Sequence, residues 1–418
     1  MVPVTTVSAR RLAPALLALV VAVAVLPLGD ARAQTTFVVE VGRFFKQTDM
    51  SKESMRFYPS TLRVHQGDVV RFTSGGFHGV TLLPPGTSAA EWAAVNAGAT
   101  GRPWSLFEPD ADEAPGTLKV NLAALFPSRD CGWPTESPCD FDGRPTDFGD
   151  VLNSGLALLP EGDSAEVHQL EFSVVVNADP GEVIEVLDLV NPRMTMSIEV
   201  VPEDAVASDS DELTEESDAA FAQDAAAANR LHRSYSNKKT TKKIGGKTYR
   251  MAWAGVETET VSLRGMYPKV VTIRPGQGVR WNFNKNVFGA YTVTFPGGRA
   301  ITSARTFPVI ACDPDGDVAE GAADTQPVSG TAPYCSSYDE LELEVPEPLS
   351  LPAGDARVVS TRDVASSGLR GAGIATSKAP YDLLFPKASP KKGFTYASML
   401  HEISGVRATG KVVVRRGR

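Results

Sequence analysis

The chain has 418 residues, 42% of them hydrophobic, with 41 Lys plus Arg against 50 Asp plus Glu. That is length for about two to three domains and enough apolar content to exclude global disorder. The net charge of −9 argues against nucleic-acid binding, which needs cations clustered on phosphate.

Arg10 and Arg11 precede an apolar run from Leu12 to Leu28, and Ala31-Arg32-Ala33 offers small residues before Gln34. Basic start, apolar stretch and A-x-A site are the parts of a secretory signal peptide, expected over residues 1–33. An uncleaved anchor is the alternative, but the run is short for a span and Pro27 interrupts it. Without residues 1–33 the chain keeps 38 basic and 49 acidic residues, a net charge of −11. No second apolar stretch is long enough to cross a bilayer, so the mature chain is expected to be soluble and extracytoplasmic, secreted or periplasmic, where disulfides are allowed.

Downstream the chain repeats itself. Phe57-Tyr58-Pro59 is followed eight residues after the proline by Gly67, then Asp68-Val69-Val70-Arg71-Phe72. Met266-Tyr267-Pro268 is followed eight residues after its proline by Gly276, then Gln277-Gly278-Val279-Arg280-Trp281. Both read as strand, glycine turn, strand. Asp150 to Leu156 resembles Asp363 to Leu369, and each part is expected to close with strands, at Glu171–Val176 with Glu199–Val201 and at Lys411–Val414. Three ordered similarities at a spacing of roughly two hundred residues predict two copies of one domain: residues 34–202, with an insertion at about 85–166, and residues 248–418, with an insertion at about 296–390. The linker, 203–247, is acidic, then alanine-rich, then basic. A short α-helix over its alanine-rich middle and turn-like, solvated flanks are expected.

All four cysteines lie in the insertions. Cys131 with Cys139, and Cys312 with Cys335, is the simplest pairing in an oxidising compartment. No C-x-x-C and no histidine accompany them, which speaks against zinc. Asp313, Asp315 and Asp317 alternate as calcium-loop carboxylates do, but Gly316 falls inside the triplet, so an acidic turn is expected. No catalytic motif such as G-x-S-x-G, H-E-x-x-H or a phosphate loop is present.

Phe57-Tyr58-Pro59, Val64, Gly67 to Phe72 and Phe77-His78-Gly79-Val80 resemble the opening of cupredoxins, the plastocyanin-like blue copper domains. The resemblance implies an all-β fold, here two tandem Greek-key β-sandwiches. It also implies a copper site of one histidine after these strands plus a C-terminal Cys-x-x-His-x-x-Met loop. A thiolate and two imidazoles serve both copper oxidation states, and a long axial thioether tunes the potential. In the first copy His78 matches the first ligand, Asp188 stands in the cysteine slot, Asn191 in the histidine slot and Met194 in the methionine slot. In the second, Tyr291 takes the first-histidine position, Ser398 the cysteine slot and His401 the histidine slot, with Ala408 or Ser404 near the methionine slot. His65, His168 and His232 have no partner at metal-ligand spacing.

The ligand set is thus incomplete in both copies. The expectation is an exported binding or structural protein, not an enzyme, with no cofactor, acting on an extracellular or periplasmic partner. The alternative is an electron-transfer protein holding copper at an atypical site around His78 and Met194 with Asp188 or Asn191. A multicopper oxidase would need more than the five histidines present.

Overall fold

Strands form because β-branched and aromatic residues alternate with polar ones along most segments. The computed structural model describes residues 33–46, 51–74, 76, 78–95, 107–109, 118–120, 131–132, 136–144, 151–155, 170–189, 191, 193–287, 289–297, 352–354, 356–371, 378–399, 401, 406 and 408–416. The chain divides into Met1–Thr35 and Thr36–Arg418, and the elements below belong to the second unit.

Its first half carries β1 (Thr36–Phe44), β2 (Lys52–Tyr58), β3 (Thr61–His65), β4 (Val69–Ser74), β5 (Thr81–Leu82), α1 (Ala89–Val95), β6 (Phe107–Pro109), β7 (Leu118–Val120), β8 (Cys139–Phe141), β9 (Leu152–Asn153), β10 (Leu170–Val176), β11 (Val183–Leu187) and β12 (Thr195–Val201). A long helix α2 (Ser210–Ser236) follows. The second half carries β13 (Thr241–Ile244), β14 (Lys247–Glu257), β15 (Val261–Tyr267), β16 (Val270–Ile273), β17 (Gln277–Asn282), β18 (Ala290–Tyr291), β19 (Thr294–Phe295), β20 (Pro352–Gly354), β21 (Ala365–Ser367), β22 (Arg370–Gly371), β23 (Tyr381–Phe385), β24 (Phe394–Ala397) and β25 (Thr409–Val414). The fold class is all-β, with α2 as the one long helix among the described residues.

One ten-stranded sheet runs through both halves in the order β23-β17-β14-β15-β2-β1-β4-β10-β8, with β13 added to β14. The halves join where β15 pairs antiparallel with β2, Val261 opposite Ser54, Ser262 opposite Glu53 and Leu263 opposite Lys52. Each half packs its share of this sheet against a second one, β3-β12-β11-β5-β9 in the first and β16-β25-β24-β19-β21-β20 in the second. Phe72 and Phe172 thus meet Leu62 and Ile198 in one core, and Trp281 and Phe385 meet Val271 and Phe394 in the other.

The registers of the two halves correspond. β1 runs parallel to β4 and β14 parallel to β17. β3 runs parallel to β12 and β16 parallel to β25. The similar Asp150 and Asp363 segments do the same work: Val80 N–H donates to Ser154 Oγ and Val293 N–H to Ser367 Oγ, each at 2.8 Å.

Several expectations need correction. Glu171–Val176 and Glu199–Val201 do not pair, because β10 joins β4 in one sheet while β12 joins β3 and β11 in the other. Strands β8 and β9, within the stretch read as an insertion, extend both sheets of the first half. Strands β21 and β23 do so in the second half. The linker helix is not short: it has 27 residues, and Asp209 caps it by accepting the Asp211 and Glu212 N–H groups at 2.9 and 3.1 Å, so the acidic stretch read as a tether is its first turn. The basic turn-like flank instead contributes β13. Cys131 and Cys139 are joined as expected, whereas Cys312, Cys335, Asp313, Asp315, Asp317, Ser404 and His168 lie outside the described residues.

Helix α2 lies across the junction. Phe221 stacks on Phe45, and Tyr235 meets Trp253 edge-on. The buried Asp224 accepts from Ser54 Oγ at 3.0 Å, Tyr58 Oη at 2.7 Å and Thr260 Oγ1 at 2.8 Å, and pairs with Arg56 at 3.1 Å. Ser54 and Tyr58 belong to the first half and Thr260 to the second, so one carboxylate ties the helix to both. Asp224→Asn keeps the shape but removes the charge that strengthens these bonds. It is expected to cost about 1–2 kcal/mol in urea unfolding, and an unchanged midpoint would show that the helix is held by its apolar face alone.

Candidate functional site

The two loops matched to copper-ligand slots meet at one end of the first half. His78 is carried in by β4 and held in place by the Val80–Ser154 bond. Asn191 N–H donates to Asp188 O at 3.0 Å, Met194 N–H to Asn191 O at 2.7 Å and Asp188 N–H to Met194 O at 3.1 Å. Spacing of three residues therefore puts Asp188 and Asn191 on the same side of the loop, facing His78, as the matched pattern implies. Met194 is buried in the core of the same half.

What fills the site is a charge chain. His78 Nδ1 lies 2.6 Å from Asp188 Oδ2 and Nε2 lies 2.9 Å from Glu53 Oε1. The side chains of His78 and Glu53 are both 0% exposed. Asn191 Nδ2 donates to Asp188 Oδ2 at 2.7 Å, and Gly79 N–H donates to Asp188 Oδ1 at 3.2 Å. On the far side of Glu53, Oε2 is ion-paired with Arg264 from the second half. Cation and carboxylate alternate: Arg264, Glu53, His78, Asp188. Burial by itself would lower the His78 pKa, but the Glu53 charge and the hydrogen bonds that the ring donates to both carboxylates outweigh it and raise it to about 9. Glu53 is the mirror case: burial pushes it up, and the Arg264 and His78 charges pull it below the ordinary carboxylate value. At neutral pH His78 is therefore an imidazolium donating from both nitrogens.

Two glycines make room for this ring. β1 carries a bulge between Val41 and Arg43, with Gly42 at φ 67°. A Cβ on Gly42 would fall inside the His78 ring, and one on Gly76 would strike Glu53 and His78. The second half repeats the device: β14 is bulged between Ala254 and Val256, Gly255 has φ 70°, and a Cβ there would fall inside the Tyr291 ring.

The corresponding site of the second half is a different network. Tyr291 Oη donates to Glu257 Oε1 at 2.8 Å, with Ser262 Oγ beside it at 3.1 Å. Glu257 Oε2 also accepts from the Val287 and Gly289 N–H groups at 2.6 and 3.1 Å. His401 stacks on Tyr291 with ring centroids 4.3 Å apart. Ser398 Oγ accepts from Thr292 N–H at 3.2 Å and lies 3.0 Å from His401 Nδ1. Burial, helped by the Arg264 charge, lowers the His401 pKa to about 3, so this imidazole is neutral and shares a hydrogen bond with the Ser398 hydroxyl. Ala408, near the methionine slot, is buried. Thus Tyr291, Ser398 and His401 are brought together as their slots imply. His78 and His401 sit in different networks, and the Arg264 charge that pairs with Glu53 also acts on His401.

These residues do not fit copper. A metal needs an imidazole lone pair, and both His78 nitrogens are turned onto carboxylates. The soft thiolate slots hold Asp188 and Ser398, whose oxygens are already committed, and Tyr291 is bound to Glu257. Among the described residues no group of three or more His, Cys, Asp or Glu is set to hold a metal ion. His65 is spent on Ala205 O at 3.0 Å, and His232 packs edge-on against Tyr267.

Sequence reasoning missed Glu53, Arg264, Gly42 and Glu257. An isolated glycine inside a strand pattern is a bulge signal that Gly42 and Gly255 both carry. The charged residues sit in strands where a carboxylate or guanidinium reads as solvent-facing, and nothing local marks them.

No protein-family model and no curated protein matches the chain. Among solved structures it is similar to auracyanin B, at 15% identity over 40% of this chain and 89% of that one, with a TM-score of 0.22. It is similar to dithionite-reduced auracyanin from Roseiflexus castenholzii, at 12% identity over 41% and 100%, with a TM-score of 0.21. It is also similar to copper nitrite reductase from Nitrosomonas europaea, at 9% identity over 92% and 94%, with a TM-score of 0.17.

Proposed function

We infer that the chain is an exported protein of two tandem cupredoxin-like sandwiches whose copper slots have become buried polar networks, and that it works by binding a partner, not by electron transfer or catalysis. One observation carries the reading: His78 is clamped between Glu53 and Asp188 through both ring nitrogens. Where the family pattern expects a cation held by soft donors, an imidazolium held by carboxylates supplies positive charge within the fold itself. The matched registers of the two halves and the paired bulge glycines support the tandem reading. The Cys131–Cys139 disulfide suits an oxidising compartment, and no helix among the described residues is long and apolar enough to cross a membrane. The competing reading, copper-mediated electron transfer through His78 and Met194, needs a free imidazole lone pair.

The test is metal loading of the full chain. Purified protein is incubated with Cu(II), dialysed, and read for bound copper and visible absorption. The expected result is well under one copper per chain and no intense charge-transfer band. A strong absorption near ~600 nm, the mark of a copper–thiolate bond, would overturn the reading, as would stoichiometric copper that His78→Ala abolishes.

A further inference from the structure

The first half closes its second sheet with β3 at the edge, and it does not leave that edge bare. Parallel pairing with β12 uses alternate backbone groups, including Ser60 O, which accepts from Ser197 N–H, so Arg63 points its backbone outward. The chain after β12 returns along this edge: Ser208 N–H donates to Arg63 O at 2.9 Å, Arg63 N–H donates to Ser208 Oγ at 2.8 Å, and His65 Nε2 meets Ala205 O at 3.0 Å. The returning segment is acidic, with Glu203 and Asp204 before it and Asp209, Asp211 and Glu212 after it.

The matching edge of the second half is β16. Lys411 N–H donates to Lys269 O and Arg415 N–H to Ile273 O, both at 3.0 Å, so Thr272 stands where Arg63 stands and turns its N–H and C=O away from the sheet. Among the described residues nothing bonds either group. Thr272 is exposed, and Val270 is 44% exposed. The charge differs as well. In the first half Arg63 is neutralised by Glu199 at 3.1 Å. Along β16 and the adjoining β25 stand Lys269, Arg274, Lys411, Arg415 and Arg416, all exposed and none in an ion pair among the described residues. Charged side chains, lysine above all, keep an edge strand from pairing at random. Five unpaired cations on a chain of net charge −9 make a local field that attracts the opposite charge.

We propose that the β16 edge is a docking site for an acidic, extended segment of a partner protein, which adds a strand beside Thr272 and lays its carboxylates against Lys269, Arg274 and Arg415. Open backbone donors and acceptors select a peptide over a polyanion without a peptide backbone, and the five cations select an acidic one. The cis segment on the equivalent β3 edge is acidic and is held there by Ser208, whose N–H donates to Arg63 O and whose Oγ accepts from Arg63 N–H, so an edge of this kind already takes an extended acidic segment within the chain. The proposal deepens the binding reading above and is independent of the copper question, since a chain that did take up copper would present the same edge.

The experiment uses the full chain and a fluorescent synthetic peptide with the sequence of residues 202–212, followed by anisotropy at low and high salt. Binding is expected at low ionic strength, about ten-fold weaker at ~0.5 M salt. Thr272→Pro removes an N–H that bonds nothing in the fold and is expected to weaken binding about ten-fold or more. The triple variant Lys269→Gln, Arg274→Gln, Arg415→Gln, which touches no described backbone bond, is expected to do the same and covers the case in which the proline variant fails to fold. A single-stranded oligonucleotide is the control. No peptide binding, peptide binding indifferent to both variants, or oligonucleotide binding as tight as the peptide's would overturn the proposal.

Discussion

Glu53→Ala is expected to be the most damaging single substitution in the described part of the chain, at about 3–5 kcal/mol. Glu53 is fully buried between two cations, Arg264 on one side and His78 on the other. Without it both cations stay in the interior with one partner fewer, and burial of an uncompensated charge is what makes such deletions costly. Arg264→Ala removes the opposite end, and the two changes share one interaction. Their effects are therefore expected to be strongly non-additive, the double variant costing little more than the worse single one. Denaturant unfolding of wild type, both singles and the double supplies the cycle. If Glu53→Ala stays within about 1 kcal/mol of wild type, the charge chain does not hold this site together.

Where the pair sits gives the prediction a second edge. Glu53 lies on β2 and Arg264 on β15, the two strands whose pairing fuses the halves into one sheet. Helix α2 covers the outer face of that seam through Asp224, and the Glu53–Arg264 pair closes the inner one. Cutting the inner tie is expected to loosen the halves from each other before either core melts. Trp281 lies in the second half's core, but Trp92, Trp104 and Trp133 belong to the first half and Trp253 to the seam, so the comparison is made in a background that keeps Trp281 as the sole tryptophan. Fluorescence and far-ultraviolet circular dichroism should coincide through the wild-type transition and separate in Glu53→Ala.

Local pattern and long-range pairing divided what could be read from the residues. The ligand-slot residues His78, Asp188 and Asn191 were legible because their convergence is set by short-range geometry: a strand that delivers His78 and a loop whose three-residue spacing places Asp188 and Asn191 side by side. The strand–turn–strand units around Pro59 and Pro268 were legible because their Tyr-Pro to glycine spacing leaves a signature in the sequence. Glu53, Arg264 and Asp224 were not, because each is buried by a partner from a distant part of the chain, and an isolated charge in an amphipathic pattern carries the signature of a solvent-facing residue. Helix α2 was underread for the same reason: its acidic first turn looks like a solvated tether until Asp209 is seen capping it. Strand β23 was hidden in a stretch read as insertion, since five residues with two apolar anchors give little periodicity of their own.

Folding stability is expected to fall as pH rises from about 6.5 to about 9, a range in which ordinary proteins change little. His78 titrates near 9 in the folded chain against 6.5 for an unconstrained imidazole. Between those values the folded chain keeps a proton that the unfolded chain has released, so each step up in pH favours unfolding. The whole contribution is present below pH 6.5 and is gone once the folded chain also deprotonates, a loss of about 3 kcal/mol. Glu53 acts with the opposite sign: its folded pKa is depressed below 4.5, so its contribution is complete above that value and is lost as pH falls through the folded one. The two together leave a window of greatest stability between about pH 5 and 6.5. Urea midpoints measured from pH 5 to 9.5 give the profile, and His78→Gln, which cannot titrate, is expected to be less stable at pH 6 and flat across the upper range. A wild-type profile that is equally flat from 6.5 to 9 would mean that His78 is neutral in the fold, returning to it the lone pair that the copper reading requires.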